Sequence, residues 1–89
     1  MEKVVLIFED NHGLIGVANN YYNAVKFLIE RAWLDEDTTI YEGIRTKEIT
    51  EVIGNEWKSF LLNFGDMKKF NEIFEGVFYL AFEDVYDGE

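Results

Sequence analysis

The sequence predicts an α+β fold, a small two-layer domain in which short helices pack against one face of a β-sheet. Three observations indicate this. The apolar runs Lys3–Phe8 and Leu14–Ala18 flank a turn, apolar residues then recur at helical spacing, and the apolar segment Val77–Tyr86 closes the chain. We expect an N-terminal β-hairpin, an amphipathic helix, a short strand, two or three short helices and a C-terminal strand joining the sheet. Residues 1–89 are expected to form one domain.

The first half of the chain carries clear local signals. Glu9–Gly13 has the composition of a hairpin turn, because Asn and Gly tolerate positive φ and Asp can bond its own backbone. Asn19 or Asn20 is expected to cap the helix. We expect the helix to end near Trp33–Leu34 and a short strand to follow at Thr38–Glu42. The helical stripe consists of Ala24, Val25, Leu28, Ile29, Ala32 and Trp33.

Glycines recur every eleven residues in the second half of the chain. They are Gly43, Gly54, Gly65 and Gly76. The apolar residues between them do not fall at equal offsets, which argues against a sequence repeat. The pattern instead predicts short successive helices that begin after Thr46, Asn55 and Asp66 and end at glycines. Helices this short must pack on an apolar surface to be stable.

The closing segment, Val77–Tyr86, is apolar on both faces of a predicted strand. Such a strand either lies at the centre of a covered sheet or faces a partner. We expect the sheet to combine the hairpin, the Thr38–Glu42 strand and this last strand. A homodimer through the last strand or the short helices is an alternative.

The residues needed for catalysis or metal binding are sparse. The chain has no cysteine, its one serine, Ser59, falls within a predicted helix, and its one histidine, His12, falls in the hairpin turn. The acidic cluster around Asp35 does not match a calcium-binding loop, because Ile40 and Thr46 stand where that loop requires glycine and glutamate. We therefore predict no catalytic residues, no metal site and no cofactor, and expect a protein that is not an enzyme.

Charge is the most informative feature of the composition. Eighteen acidic and eight basic residues give a formal net charge of −10, and no Lys or Arg follows Lys69. This imbalance disfavours direct binding to nucleic acid or anionic membranes, and it favours a partner protein with a basic surface. The alternative is that the acids only solvate the surface. The predicted partner-binding residues are Glu83, Asp84, Asp87, Glu72, Glu75, Glu9 and Asp10.

The opening residues, MEKVVLIFED, do not have the pattern of a signal peptide, because the apolar run Val4–Phe8 is short and acids follow it. No stretch approaches the roughly 20 apolar residues of a membrane-spanning helix. The sequence therefore predicts a cytoplasmic protein that does not enter the membrane.

Four segments of the chain resemble known proteins. These segments are Lys3–Glu9, Ile15–Ala18, Ala24–Ile29 and Phe78–Tyr86. They resemble short acidic proteins encoded by phages and prophages of low-GC Gram-positive bacteria. The resemblance implies a small accessory protein of a class in which some members antagonise host enzymes or immune systems, including CRISPR effectors. It supplies no catalytic residues and does not extend to the central helices.

Three functional hypotheses follow. The first is a non-enzymatic phage-type protein that binds and inhibits a host protein in the host cytoplasm, such as a nucleic-acid-handling defence enzyme, through its acidic surface. The second is a homo-oligomeric structural or assembly module whose acids only confer solubility. The third is a small-molecule-sequestering protein with a pocket lined by Tyr and Trp. The tyrosines expected at an interface are Tyr21, Tyr22, Tyr41, Tyr79 and Tyr86.

Overall fold

The two ends of the described chain build one antiparallel sheet. The computed structural model describes residues 3–84, and within them the strands of this sheet lie in the order β2-β1-β5. The α+β class, the N-terminal hairpin and the C-terminal strand that joins the sheet are confirmed. The elements in chain order are β1 Lys3–Glu9, β2 Gly13–Ala18, α1 Tyr21–Glu30, β3 Thr39–Glu42, β4 Arg45–Glu48, α2 Ile49–Val52, α3 Trp57–Phe64, α4 Met67–Ile73 and β5 Phe78–Asp84.

The register of the sheet sorts its side chains between two faces. Ile7 of β1 lies opposite Gly16 of β2 and Leu80 of β5, and all three belong to the inner face, which the helices cover. A bulge follows in β2, because Phe8 pairs with Leu14 and leaves Ile15 as an extra residue. Gly16 allows α1 to approach closely, since a Cβ atom at that position would lie 2.7 Å from the ring of Phe27.

Helix α1 begins where predicted but ends earlier. The side chain of Asn20 accepts a hydrogen bond from the Asn23 amide and caps the helix. The predicted end near Trp33–Leu34 is wrong, because the helix stops at Glu30 and Ala32 takes a left-handed conformation with φ 60°. The apolar spacing continues past the helix because Leu34 is buried in the core after the chain has turned.

The strand predicted at Thr38–Glu42 does not join the main sheet. It forms β3, which pairs only with β4 in a separate two-stranded sheet within residues 3–84. Glu42 lies opposite Arg45, so Gly43 and Ile44 make a two-residue turn, with Gly43 at φ 63°. A glycine first in such a turn matches the right-handed twist of a hairpin. Thr46 therefore lies in a strand and does not begin a helix.

Three short helices are present in the described chain, as predicted, but only one of the three predicted N-caps is correct. Glu48 begins α2 through a reciprocal capping box with Glu51, and Glu56 precedes α3, so the caps predicted at Thr46 and Asn55 are wrong. Asp66 caps α4 as predicted, since its carboxylate accepts a hydrogen bond from the Lys69 amide. Gly65 ends α3 in the left-handed conformation, also as predicted.

The core lies between the inner face of the sheet and the helices. Phe70 and Phe74 of α4 are fully buried within it, with ring centroids 4.6 Å apart. Tyr21, which was expected at an interface, is buried there too, and its hydroxyl donates a hydrogen bond of 2.6 Å to the Leu61 carbonyl. Burial, together with the charge of Asp66, raises the pKa of Tyr21 above its ordinary range.

The helices among residues 3–84 are short. None of them combines the length and apolar character that crossing a lipid bilayer would require.

Candidate functional site

The predicted partner-binding acids lie in three groups in the structure. Glu83 and Asp84 end β5, opposite Val4 and Lys3 of β1, and both are exposed. Glu72 and Glu75 are exposed on and just beyond α4, and Glu9 and Asp10 lie at the hairpin turn. Asp87 and Tyr86 lie outside the described residues.

A groove runs between α4 and the outer edge of β5. It has a volume of about 780 Å³, and Glu72, Glu75, Lys68, Tyr79 and Phe82 are among the residues that line it. Both acidic side chains therefore share a concave surface with three aromatic residues, Phe78, Tyr79 and Phe82. A single basic residue of α4 stands beside them in this groove.

Asn71 holds the two walls of the groove together. Its Nδ2 atom donates a hydrogen bond of 2.9 Å to the Leu80 carbonyl, and its Oδ1 atom accepts one of 2.8 Å from the Leu80 amide. The side chain thus occupies the place that a neighbouring strand would take at this point of the sheet edge. Protecting an edge in this way prevents uncontrolled pairing with other chains.

The hairpin turn engages Glu9 more than the sequence suggested. The Glu9 carboxylate accepts hydrogen bonds from the amides of Asn11 and His12, and it lies 2.6 Å from His12 Nδ1. The bond to the His12 ring, and secondarily the backbone bonds and the charge of His12, lower the pKa of Glu9 against the opposing effect of burial. The His12 ring meets Trp33 edge-on at 5.1 Å. The Glu9 carboxylate therefore stabilises the turn through hydrogen bonds, and it is less free than the other predicted acids to contact a partner.

This arrangement predicts a pH-dependent contribution to stability. Because the pKa of Glu9 is lowered by folding, its contribution is present above the ordinary carboxyl value of 4.5 and is lost as the pH falls through the folded value. We expect Glu9→Gln to cost about 1 kcal/mol near pH 6 and much less near pH 3, measured by urea denaturation. Asp10→Asn, in the same turn, is the control, and an equal pH dependence in both variants would contradict the assignment.

Tyr79 links two of the acidic groups. A second groove, of about 280 Å³, is lined by Glu9, Asp10, Phe8 and Tyr79, and Tyr79 also lines the groove beside α4. Glu9 lies opposite Phe78, so Glu83 is five residues further along β5, or about 17 Å away. Tyr79 thus borders two grooves, one lined by Glu72 and Glu75 and the other by Glu9 and Asp10, and Glu83 and Asp84 lie at the far end of the same strand.

Few of these acids are neutralised within the described part of the chain. The ion pairs found there are Glu9 with His12, Glu42 with Lys47 at 2.9 Å, and Glu72 with Lys69 at 3.9 Å. The hydrogen bond to Glu42 raises the pKa of Lys47. Asp10, Glu75, Glu83 and Asp84 make no ion pair within residues 3–84, so their negative charge is directed to solvent or to another molecule.

An apolar surface lies on the other side of the sheet, and the sequence predicted only part of it. The closing segment was expected to be apolar on both faces and either central in a covered sheet or facing a partner, and β5 lies at the edge of the sheet. The odd-and-even alternation of an antiparallel strand is absent from β1, where Val4–Phe8 is apolar throughout. Leu14, Val17 and Tyr79 are 53%, 56% and 56% exposed. The unbroken apolar run of β1 was the available signal. We define the outer sheet face as Val4, Leu6, Phe8, Leu14, Val17, Tyr79 and Ala81.

The residues considered for catalysis have local partners. Ser59 lies on α3, where its hydroxyl is 3.4 Å from Asn63 Nδ2, whereas His12 contacts Glu9 and Trp33 in the hairpin turn. Asp35 accepts a hydrogen bond from the Asp37 amide. Within residues 3–84, no three acidic or histidine side chains are grouped so that they could hold a metal ion.

Comparison of the chain with protein-family models, with curated proteins and with solved structures gave no match to any of them.

Proposed function

We propose that this chain is a non-enzymatic inhibitor that binds a host protein through an acidic surface on β5 and α4. The observation that carries the proposal is the set of exposed carboxylates without an ion pair in the described chain, at Glu75, Glu83 and Asp84. Unpaired surface acids of one sign attract a basic partner and speed its association. They also repel a nucleic acid, so the partner is a protein.

The resemblance to phage accessory proteins supports a particular class of partner. A host enzyme that handles nucleic acid presents a groove of Lys and Arg to the phosphate backbone. Exposed carboxylates such as Glu75, Glu83 and Asp84 would compete for such a groove, because they present negative oxygens to Lys and Arg as phosphates do. We propose a defence enzyme, such as a CRISPR effector, as the target, and competition with its nucleic acid as the mode of inhibition.

The first experiment identifies the target and its charge dependence. The tagged chain is used to capture proteins from a lysate of a Gram-positive host at low and at high salt, and captured proteins are identified by mass spectrometry. We expect to capture a protein with a basic nucleic-acid site at low salt and to lose its capture at high salt. The reason is that interactions between exposed charges are screened beyond about 10 Å at 0.1 M salt. Capture that is indifferent to salt would contradict the proposal.

The second experiment tests the acids directly with the purified target. Glu75→Lys combined with Glu83→Lys is expected to weaken binding at least about tenfold, equivalent to about 1.4 kcal/mol, and to reduce its salt dependence. Glu36→Lys combined with Asp37→Lys is the matched control, because it changes the net charge equally on the exposed loop after α1. Equal losses in both variants would show a general charge effect and no acidic docking site.

A further inference from the structure

We propose that the outer sheet face is a docking surface for an apolar patch, bordered by Lys and Arg, on the partner protein. This inference rests on the proposed function for the charge of the partner. It adds a second, apolar contact that the acidic surface alone does not require.

The outer sheet face is a continuous row of apolar side chains across all three strands. Leu6 lies directly between Val17 and Ala81, and Phe8 lies between Leu14 and Tyr79. The rings of Phe8 and Tyr79 are 6.3 Å apart. Residues directly opposite one another in an antiparallel sheet share a face, so these side chains form one patch.

The helices do not cover this patch. The core places Val5 and Ile7 of β1 with Ala24, Val25 and Leu28 of α1, which assigns the helices to the inner face. An antiparallel sheet covered on one side normally presents polar residues on the other. Here Glu83, opposite Val4, is the charged residue at the end of the outer row. Leu14, Val17 and Tyr79 are exposed on this face, and its other members are half-buried between them. A contiguous apolar surface that the fold leaves uncovered in this way is typical of an interaction site.

An apolar patch of ordinary size fills only part of a standard interface, so its occupant is expected to contact the surrounding acids as well. The largest apolar patch on a monomer is roughly 300–600 Å², whereas each side of a standard interface buries about 800 Å². A stable contact must therefore extend from the apolar row onto its margin. Tyr79 lies both in the row and in the grooves that hold Glu72, Glu75, Glu9 and Asp10, so the extension runs onto carboxylates.

The charge of that margin selects between occupants. A second copy of this chain would bring a molecule of net charge −10 against another, with acids facing acids at the margin. A partner with Lys and Arg around an apolar centre satisfies both parts of the surface. An apolar lipid surface would satisfy only the row.

The inference is tested by amide chemical-shift titration of the full chain with three short synthetic peptides. One alternates lysine with valine, one lysine with serine, and one glutamate with valine. We expect the lysine–valine peptide to shift the amides of Leu6, Val17 and Tyr79 and to bind at least about tenfold more tightly than the other two. Equal binding of the two lysine peptides would overturn the apolar contact while leaving the acidic site standing. Equal binding of the two valine peptides would show that the charge of the peptide does not matter, and it would overturn the proposal that the partner is basic.

Two sets of variants distinguish the contribution of the outer sheet face to peptide binding from the contribution of the acids. Leu6→Thr, Val17→Thr and Tyr79→Thr combined keep strand-compatible residues and are expected to remove the tenfold advantage of the lysine–valine peptide. Ile44→Thr is the control, since Ile44 is fully exposed at the tip of the β3–β4 hairpin, outside the row. If the combined variant does not fold, Val17→Thr alone is expected to lower affinity about threefold. Glu75→Lys combined with Glu83→Lys should weaken both lysine peptides, and failure of that result alone would count against the proposed function.

Other occupants give distinct results. Sedimentation velocity of the chain over a hundredfold range of concentration is expected to show a monomer. A dimer that the combined threonine variant abolishes would overturn the proposal in favour of a second copy. Binding to phosphatidylcholine vesicles that the same variant abolishes would overturn it in favour of lipid.

Discussion

Phe70→Ala is expected to lower the free energy of unfolding by about 3–5 kcal/mol. Phe70 is fully buried on α4, its ring lies 4.6 Å from that of Phe74, and it meets Tyr21 edge-on at 6.1 Å. Truncation removes the burial of one large ring and leaves a cavity that these neighbours cannot fill without moving. Since a domain has about 5–15 kcal/mol of stability in total, a chain of this size would lose a large share of its folded population.

Urea denaturation followed by tryptophan fluorescence measures this loss. Phe60→Ala is the matched control, because Phe60 is 45% exposed and, within residues 3–84, its one aromatic contact is Phe64, at 5.0 Å. The control is expected to cost less than about 1.5 kcal/mol. If Phe70→Ala does not fold, Phe70→Leu should still fold with an intermediate loss. Similar losses at both sites would show that α4 does not centre the core.

Most of the elements predicted correctly have local signals, and the exception is the C-terminal strand, whose apolar composition indicated that it joins the sheet. The hairpin of β1 and β2, the start of α1 at Asn20 and the cap of α4 at Asp66 each depend on residues within a few positions of one another. Turn chemistry and side-chain caps act over that distance, so they can be read from sequence. The end of α1 could not be predicted in this way. Leu34 lies beyond the helix but is buried in the core, so the apolar pattern does not stop where the helix stops.

The placement of β3 depends on a neighbouring strand that the sequence did not indicate. Arg45–Glu48 carries no apolar alternation, so nothing in it signalled a strand. The two-residue turn at Gly43 and Ile44 brings β4 onto β3, and the ion pair of Lys47 with Glu42 lies across them. Because β3 pairs with β4, the main sheet forms from β2, β1 and β5 and does not include β3. Pairing between segments close in sequence costs less chain entropy than joining a remote sheet edge.

The candidate site was predicted in composition but not in arrangement. The acids of β5 and α4 were readable as a charge imbalance after Lys69. The grooves that some of the acids share with Tyr79 depend on the packing of α4 and β1 against β5, and the hydrogen bond between Glu9 and His12 depends on the geometry of the turn. The closing strand was predicted to be apolar on both faces, but the full extent of the outer sheet face is seen only when all three strands are aligned.

Asn71 is the polar contact on which the acidic groove depends, and Asn71→Asp is expected to cost about 2–3 kcal/mol. An aspartate has the same shape and can still accept the Leu80 amide. It loses the donor to the Leu80 carbonyl, however, and sets a carboxylate oxygen against that carbonyl oxygen. The edge of β5 would separate from α4, and Glu72 and Glu75 would lose their fixed position relative to Tyr79.

The pH dependence of this variant identifies the cause of its instability. Repulsion from the Leu80 carbonyl raises the folded pKa of the introduced carboxyl above its unfolded value, so the protonated form is favoured in the fold. The loss of stability relative to the native chain should therefore be full near pH 7 and shrink as the pH falls through the raised pKa, where protonation restores a donor.

Asn63→Asp on α3 makes the same chemical change at an exposed site, where the amide donates to the Ser59 carbonyl four residues earlier. That control should cost less than about 1 kcal/mol, because water can replace the lost bond. Urea denaturation of both variants across pH distinguishes a structural clamp on the groove from a general intolerance of added negative charge.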